Sequence, residues 1–172
     1  GVATFDNKVN TLVRPSSSAS HLKQILHVID AVVPDQKTAI GPTLHDLAER
    51  LRKRGIVLIL SDFFDDVTSI LAGLKHFRYR RHEVIVFHVL DPDELEFPFR
   101  RPTLFKGLED LPQVLTDPRT LRKAYLNEFT RFLHKVQGGC RRHQIDYVLL
   151  RTDQSLETAL TSYLARRAAR SH

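Results

Sequence analysis

The sequence predicts a three-layer α/β domain in which a mostly parallel sheet is covered by helices. Three largely apolar runs, at residues 56–60, 84–90 and 145–150, lack the polar alternation of half-exposed strands. Such runs are typical of strands that are buried on both faces of a parallel sheet. Segments with helical periodicity alternate with the runs, and this order favours right-handed crossovers between parallel strands.

The chain opens with a predicted hairpin and a helix. Residues 2–5 and 10–13 are predicted strands, because the Asp-Asn-Lys sequence between them is a hairpin-type turn signal. Ser20 is the predicted N-cap of a helix through Val32, where apolar residues recur at helical spacing. No Met precedes the first strand, so we expect a partial domain with a further segment before Gly1.

Two helices flank the first apolar run. The earlier one is predicted over residues 42–54 and is expected to end at Gly55, because glycine commonly follows a helix C-terminus. The later helix has Asp65 or Asp66 as its predicted N-cap. These assignments place the acidic residues that follow the first buried strand at the carboxyl edge of the sheet.

The segment 94–118 interrupts the alternation of helix and strand. It contains four prolines and two short β-like pieces, so we interpret it as an inserted, hairpin-like excursion. A long amphipathic helix over residues 121–142 follows it, and Ser155 is the predicted cap of the last helix. No internal repeat appears, and residues 1–172 are interpreted as one domain.

Composition is that of an ordinary globular chain. The 172 residues are 42% hydrophobic and 27% charged, and no apolar run approaches the ~20 residues that span a bilayer. Cys140 is the single cysteine, which excludes an internal disulfide and a cage of cysteine ligands. A single cysteine also fits a reducing cytoplasm, where we place the protein.

The net charge of +6 prompts the question of nucleic-acid binding. The basic residues group at predicted helix C-termini, where the helix dipole favours cations, so a solvated basic end of the domain explains them. A docking surface for an acidic protein is the alternative, and nucleic-acid binding is the least favoured reading because Tyr79 is the one aromatic residue clearly interleaved with them. The basic groups are residues 50–54, 78–82, 141–143 and 166–170.

Acidic residues collect at the opposite edge, where ligands of open α/β sheets bind. Asp62 could supply a carboxylate to Mg²⁺, and Thr38 could supply a hydroxyl if its loop lies beside the same edge. The other acids have structural explanations as helix caps or turn residues. They are Asp65, Asp66, Asp91, Asp93 and Asp153.

Enzyme motifs have little support in the sequence. It contains no Gly-x-Ser-x-Gly elbow and no glycine-rich phosphate loop. Cys140 has no recognisable partner motif, and His88 is interpreted as a packed core histidine. The remaining enzymatic alternative is a metal-dependent phosphoesterase or nuclease that uses Asp62, Asp91 and Asp153.

Several segments together resemble a bacterial family, domain-of-unknown-function family fifty-eight, which is similar to the von Willebrand factor type A domain. The resemblance extends over essentially the whole chain. It rests on residues 1–6, 20–26, 38–48, 58–65, 83–99 with the core Leu-Asp-Pro-Asp-Glu-Leu-Glu-Phe-Pro, and 146–153.

The resemblance implies a metal-ion-dependent adhesion site at the carboxyl edge. Type A domains hold a divalent cation with an Asp-x-Ser-x-Ser motif, a later Thr and an Asp after the fourth strand. By pattern the Thr corresponds to Thr38 and the Asp to Asp62, whereas the first motif is expected before Gly1. The site is therefore incomplete here, and Mg²⁺ is expected in the full-length protein rather than in this chain. Phe63 also departs from the pattern, since many type A domains have glycine there.

The resemblance also implies a function without catalysis. We expect a protein-interaction module whose partner is a MoxR-type AAA+ ATPase. The partner would bind through Asp65, Asp66, Asp91 and Asp93. In the full-length protein, an acidic residue of the partner could complete the coordination of a bound cation. In type A domains the strand in the middle of the sheet carries the Asp-x-Ser-x-Ser motif, so this strand is also expected before Gly1. Its absence from the chain would leave sheet edges exposed. We therefore expect the remaining strands to close the gap by pairing, or the chain to dimerise through those edges.

Overall fold

The computed structural model describes residues 1–32, 38–105 and 114–170. Seven strands and six helices lie in this part of the chain. In chain order they are β1 Val2–Phe5, β2 Val9–Val13, α1 His21–Asp30, α2 Ile40–Arg50, β3 Ile56–Ser61, α3 Val67–Tyr79, β4 Glu83–Leu90, α4 Pro92–Glu96, β5 Thr103–Phe105, β6 Val114–Thr116, α5 Pro118–Arg142, β7 Asp146–Arg151 and α6 Leu156–Arg170.

The predicted three-layer α/β fold is confirmed. Strands β3, β4 and β7 form a parallel sheet in the order β3-β4-β7, with Ile56 opposite Glu83 and Ile85 opposite Asp146. One face of the sheet packs against α2, α3 and α5 in a core that includes Val84 and Val86. The alternate residues Ile85 and Phe87 face α6 in a second cluster, because side chains alternate along a strand.

Helices α2 and α3 pack against each other at short range. A Cβ atom on Gly41 would lie 2.7 Å from the Ser69 backbone carbon, and one on Gly73 would lie 2.9 Å from the Gly41 oxygen. Neither position has room for a side chain, so the two glycines allow the helix backbones to approach. The contacts advance together along both helices, from Gly41 with Ser69 to Arg80 with Glu49, and the helices are therefore parallel.

The predicted boundaries of α2 are wrong at both ends. The helix begins at Ile40 and ends at Arg50, not at residues 42 and 54. Leu51 leaves the helical conformation, packs its side chain against the core, and its carbonyl oxygen lies 3.3 Å from the His82 ring. Gly55 is therefore not a helix cap, since burial of Leu51 ends the helix earlier.

The segment 94–118 contributes two short strands that pair with each other, and α5 begins directly after the cap residue Asp117. Strands β5 and β6 pair antiparallel, with Thr103 opposite Thr116. Helix α5 begins at Pro118, three residues before the predicted start, because Asp117 caps it. Gly139 lies inside α5 where a Cβ atom would be 2.3 Å from Leu71, so this glycine permits close packing against α3.

The N-terminal hairpin packs against the main core but does not pair with the central sheet. Strands β1 and β2 form a separate two-stranded sheet, so the predicted closure of the gap by strand pairing is wrong. The backbone of Ala39 and the hydroxyl of Thr43 both donate to the Asp6 carbonyl oxygen, at 3.2 and 3.4 Å, and these bonds hold the hairpin turn against the start of α2. Within the described residues, β3 pairs with β4 alone and keeps an open edge.

The unpaired edge strand β3 carries exposed apolar side chains, and α1 carries others at Leu22, Leu26 and Ile29. Leu58 and Leu60 are 53% and 63% exposed, and α1 has no buried residue among its ten. Exposed edges of this kind promote association with another chain. Dimerisation through such edges stays a prediction.

We expect Leu60→Lys to weaken self-association, because a lysine on an edge strand opposes strand pairing by charge and hydration. Analytical ultracentrifugation over a range of protein concentrations would measure the change. Leu121→Lys, at an exposed position on α5, is the matched control and should leave the association unchanged. A monomeric wild-type chain at high concentration would contradict dimerisation.

Candidate functional site

The turn after β3 presents Asp62 to solvent at the carboxyl edge of the sheet. Phe63 has a φ of 56° and is fully buried, so it anchors the turn in a conformation that costs a non-glycine residue about 1 kcal/mol. Its backbone N–H donates to Ser61 Oγ at 3.0 Å, and the N–H of Phe64 donates to Asp62 Oδ1 at 3.3 Å.

His88 supports the same turn from below, as its predicted core position indicated. Its Nε2 lies 2.7 Å from the carbonyl oxygen of Asp62 and its Nδ1 lies 2.8 Å from the Tyr147 hydroxyl. A carbonyl oxygen only accepts, so Nε2 carries the proton and Nδ1 accepts from Tyr147. Burial lowers the pKa of His88. This neutral histidine, near the end of β4, links the turn after β3 to the start of β7.

Asp91 begins the second acidic segment of the edge. It caps α4 by accepting from the Asp93 backbone at 2.9 Å, while Glu94 accepts from the Asp91 backbone at 2.8 Å, which completes a capping box. The hydroxyl of Thr152 donates to Asp91 Oδ2 at 2.8 Å. Asp91 is thus exposed but fixed in position, and Asp93 is exposed beside it.

Glu94 is affected by the acidic residues of both segments, the turn after β3 and the start of α4. Its pKa is raised, mainly by burial and further by the negative charges of Asp62 and Asp91. Asp62 and Asp91 therefore both lie within electrostatic reach of Glu94, and we call these three carboxyl groups the acidic cluster. The sequence analysis did not select Glu94 as a site residue, although the Asp-x-x-Glu spacing of a capping box was visible at 91–94.

Asp65 and Asp66 have structural roles at helix starts. Asp66 is the N-cap of α3 and accepts from Ser69 N at 2.7 Å, as predicted. Asp65 accepts from Ile40 N at 2.7 Å and so caps α2, whose own N-cap residue, Ala39, makes no side-chain bond. Thr38 lies two residues before this contact, and its loop is therefore held beside the turn after β3.

A divalent cation at Thr38 and Asp62 requires further ligands. Asp62 belongs to no convergent group of three or more His, Cys, Asp or Glu side chains in the described residues. Its Oδ1 already accepts from the Phe64 backbone. The residues present do not fit a complete cation site, and metal binding by Thr38 and Asp62 stays a prediction.

An arginine at the carboxyl edge was missed by the sequence analysis. Arg151, the last residue of β7, contacts Glu96 at 2.7 Å and Asp153 at 2.9 Å. Hydrogen bonding to Arg151 lowers the pKa of Asp153. Asp153 therefore forms an ion pair with Arg151. Its carboxylate is not free to act in the predicted phosphoesterase cluster.

A known family model covers most of the chain. The family model described as Protein of unknown function DUF58 matches residues 1–134. The chain belongs to this family. No curated protein matches the chain, and no solved structure does. The match to the DUF58 family includes β3, β4, α4 and the acidic cluster.

Cys140 of this DUF58 chain lacks the properties of a catalytic nucleophile. It is fully buried, and burial raises its pKa to about 12. Reactive cysteines have a lowered pKa and are accessible. Cys140 instead belongs to the main core with Val136 and Ile145.

Three arginines of the DUF58 chain lie at helix C-termini, at the end of the sheet where the strands begin. Arg50, Arg78 and Arg142 occupy the last turns of α2, α3 and α5, close in sequence to the starts of β3, β4 and β7. This is the position that helix dipoles favour for cations. In the part of the chain that the structure describes, no helix is apolar over a length that could cross a bilayer.

Proposed function

We propose that this DUF58 domain is a non-enzymatic protein-interaction module that binds a partner through its acidic cluster. The observation that carries the proposal is geometric: exposed Asp62 and Asp91 are each fixed by hydrogen bonds at one edge of the sheet, and Glu94 is hydrogen-bonded to the Asp91 backbone beside them. Like charges kept together on a surface favour a ligand that supplies the opposite charge. We therefore expect the partner to contribute lysine or arginine side chains.

The surroundings of the acidic cluster support binding more than catalysis. His88, whose ring contacts the carbonyl oxygen of Asp62, uses both ring nitrogens in structural hydrogen bonds. A general base needs access to the proton that it removes. The bonds that hold Asp62 and Asp91 in place instead give a pre-organised surface, which lowers the entropy lost on binding.

The proposed partner is a MoxR-type AAA+ ATPase, by analogy with the type A-like character of the family. In a longer protein, a segment before Gly1 could add ligands to Thr38 and Asp62. Such an ATPase partner and the single buried cysteine both suit a cytoplasmic location.

The test is a pull-down and affinity measurement with the MoxR-type ATPase from the same genome. We expect the double variant Asp62→Asn, Asp91→Asn to bind at least tenfold more weakly, because it removes two charges of the acidic cluster while asparagine can still cap α4. The affinity of the wild type should also fall with added salt. Glu128→Ala removes an exposed carboxylate from α5 and should bind as the wild type does. Equal affinities for all three proteins would contradict the proposal.

The enzymatic alternative has a separate test. A phosphodiester substrate with Mg²⁺ or Mn²⁺ would be incubated with wild type and with Asp62→Ala. We expect no turnover from either protein. Turnover by the wild type that Asp62→Ala abolishes would replace the interaction module with a phosphoesterase.

A further inference from the structure

Outside the acidic cluster, α2 and α3 bring two histidines and a glutamate together. His45 Nδ1 lies 2.8 Å from His76 Nδ1, and His76 Nε2 lies 2.8 Å from Glu49 Oε1. One ligand atom from each residue lies within 4.8 Å of the others. No other group of this kind occurs in residues 1–32, 38–105 and 114–170.

The two helices fix this arrangement. His45 and Glu49 are four residues apart on α2, so they share one face of the helix, and His76 meets them from α3. The close approach at Gly41 and Gly73 holds the helices together. Side chains supported by packed helices make more precise sites than side chains on loops.

The ligand set has the chemistry of a transition-metal site. Imidazole nitrogens and a carboxylate are ligands of Zn²⁺, and three protein ligands with a fourth open position are typical of accessible zinc sites. Zinc bonds of about 2.0–2.2 Å in tetrahedral geometry place ligand atoms about 3.3 Å apart. The separations of the three side chains, from 2.8 to at most 4.8 Å, bracket this value.

Two further contacts fit a metal site. Arg80 Nη1 lies 3.4 Å from Glu49 Oε2 and orients the carboxylate. Such outer contacts commonly position ligating carboxylates. Glu49 Oε1 lies against His76 Nε2, the ring nitrogen that does not contact His45, and one ligand atom from each of the three residues lies within 4.8 Å of the others. The two Nδ1 atoms face each other. Without a metal, one of these nitrogens must donate a hydrogen bond and the other must accept it, whereas a bound cation would use the lone pairs of both nitrogens.

We propose that His45, Glu49 and His76 form a binding site for a divalent transition metal, with Zn²⁺ as the expected ion. The site is separate from Asp62 and from the proposed Mg²⁺ position. A bound ion would link α2 to α3 and leave a coordination position for water or for a side chain of another molecule. It would also stabilise the folded chain, because it binds the folded state and not the separated helices.

The test is calorimetric titration of Zn²⁺ into the full chain, purified without a histidine tag and freed of metal with a chelator. We expect one ion per chain, and binding at least tenfold weaker in His45→Ala and in His76→Ala. His134→Ala, which removes an exposed histidine from α5, is the control and should bind as the wild type does. Asp62→Ala should bind Zn²⁺ as the wild type does, because Asp62 does not belong to this site. Loss of Zn²⁺ binding is therefore distinguishable from loss of partner binding at the acidic cluster.

Two more readouts identify the ligands. Zn²⁺ should raise the unfolding temperature of the wild type and of Asp62→Ala, but not of Glu49→Gln or the histidine variants. Co²⁺ should give visible absorption bands of tetrahedral coordination, and His76→Ala should abolish them. Binding of Zn²⁺ that survives all three substitutions, or no binding at micromolar concentrations, would overturn the proposal and leave a hydrogen-bonded histidine pair.

Discussion

Gly41→Ala is expected to destabilise the domain by about 2–3 kcal/mol, at the upper part of the range for overpacked cores. The new methyl group would lie 2.7 Å from the Ser69 backbone carbon and 1.9 Å from Ser69 Oγ. The hydroxyl can rotate away, but the backbone carbon cannot move without separating α2 from α3. Urea unfolding followed by circular dichroism would show a lower midpoint with an unchanged slope.

Gly138→Ala is the matched control for that substitution. Gly138 lies in the interior of α5, and a Cβ atom there would have no neighbour within 4 Å. Alanine is a better helix former than glycine, so this variant should gain up to about 1 kcal/mol. Similar losses in both variants would contradict the role assigned to the α2–α3 contact.

His88→Leu is expected to lower the stability by about 2–3 kcal/mol. Leucine fills much of the same volume but leaves the Tyr147 hydroxyl and the Asp62 carbonyl oxygen without the ring that now bonds both of them. Because the substitution also frees the turn after β3, it should weaken binding of a partner at Asp62. Equilibrium unfolding and the pull-down described above would measure the two effects.

A double-mutant cycle separates the His88 network from simple packing. Tyr147→Phe alone should cost about 1 kcal/mol, but in the His88→Leu background it should cost little, because the bond between the two residues is already lost. Additive losses would contradict the assigned hydrogen bond.

The stability of the wild type should also depend on pH through His88. Burial lowers the folded-state pKa of His88 below the usual 6.5, so as pH falls through that value the unfolded chain takes up a proton that the folded chain does not. Stability should therefore decrease below about pH 6.5 and continue to decrease towards the folded-state pKa. His88→Leu should lack this part of the pH dependence, and an unchanged dependence would contradict a buried neutral histidine.

Local patterns predicted much of the fold and part of the candidate site. The strands β3, β4 and β7, the cap at Asp66 and the buried position of His88 all follow from hydrophobic runs and capping chemistry. The family assignment was likewise visible in the sequence and is confirmed over residues 1–134.

Other features depended on contacts between distant residues. Helix α2 ends early because Leu51 packs into the core, and Asp65 caps a helix that begins 25 positions before it in the chain. The pairing of Arg151 with Glu96 and the proximity of Glu94 to Asp62 are also long-range. No helical or strand periodicity encodes such contacts, so the sequence analysis placed the acids at the right edge without identifying which of them interact.

By itself, then, the sequence determined the fold class, the carboxyl edge as the acidic side and the basic helix ends, because these depend on periodicity and on charge near helix termini. The tertiary structure decided which side chains meet. It placed Glu94 with Asp62 and Asp91, separated the N-terminal hairpin from the β3 edge, and joined His45, Glu49 and His76. The physical reason is that the approach of α2 to α3 and the turn after β3 are set by packing at Gly41, Gly73 and Phe63, which brings together residues that are far apart in the chain.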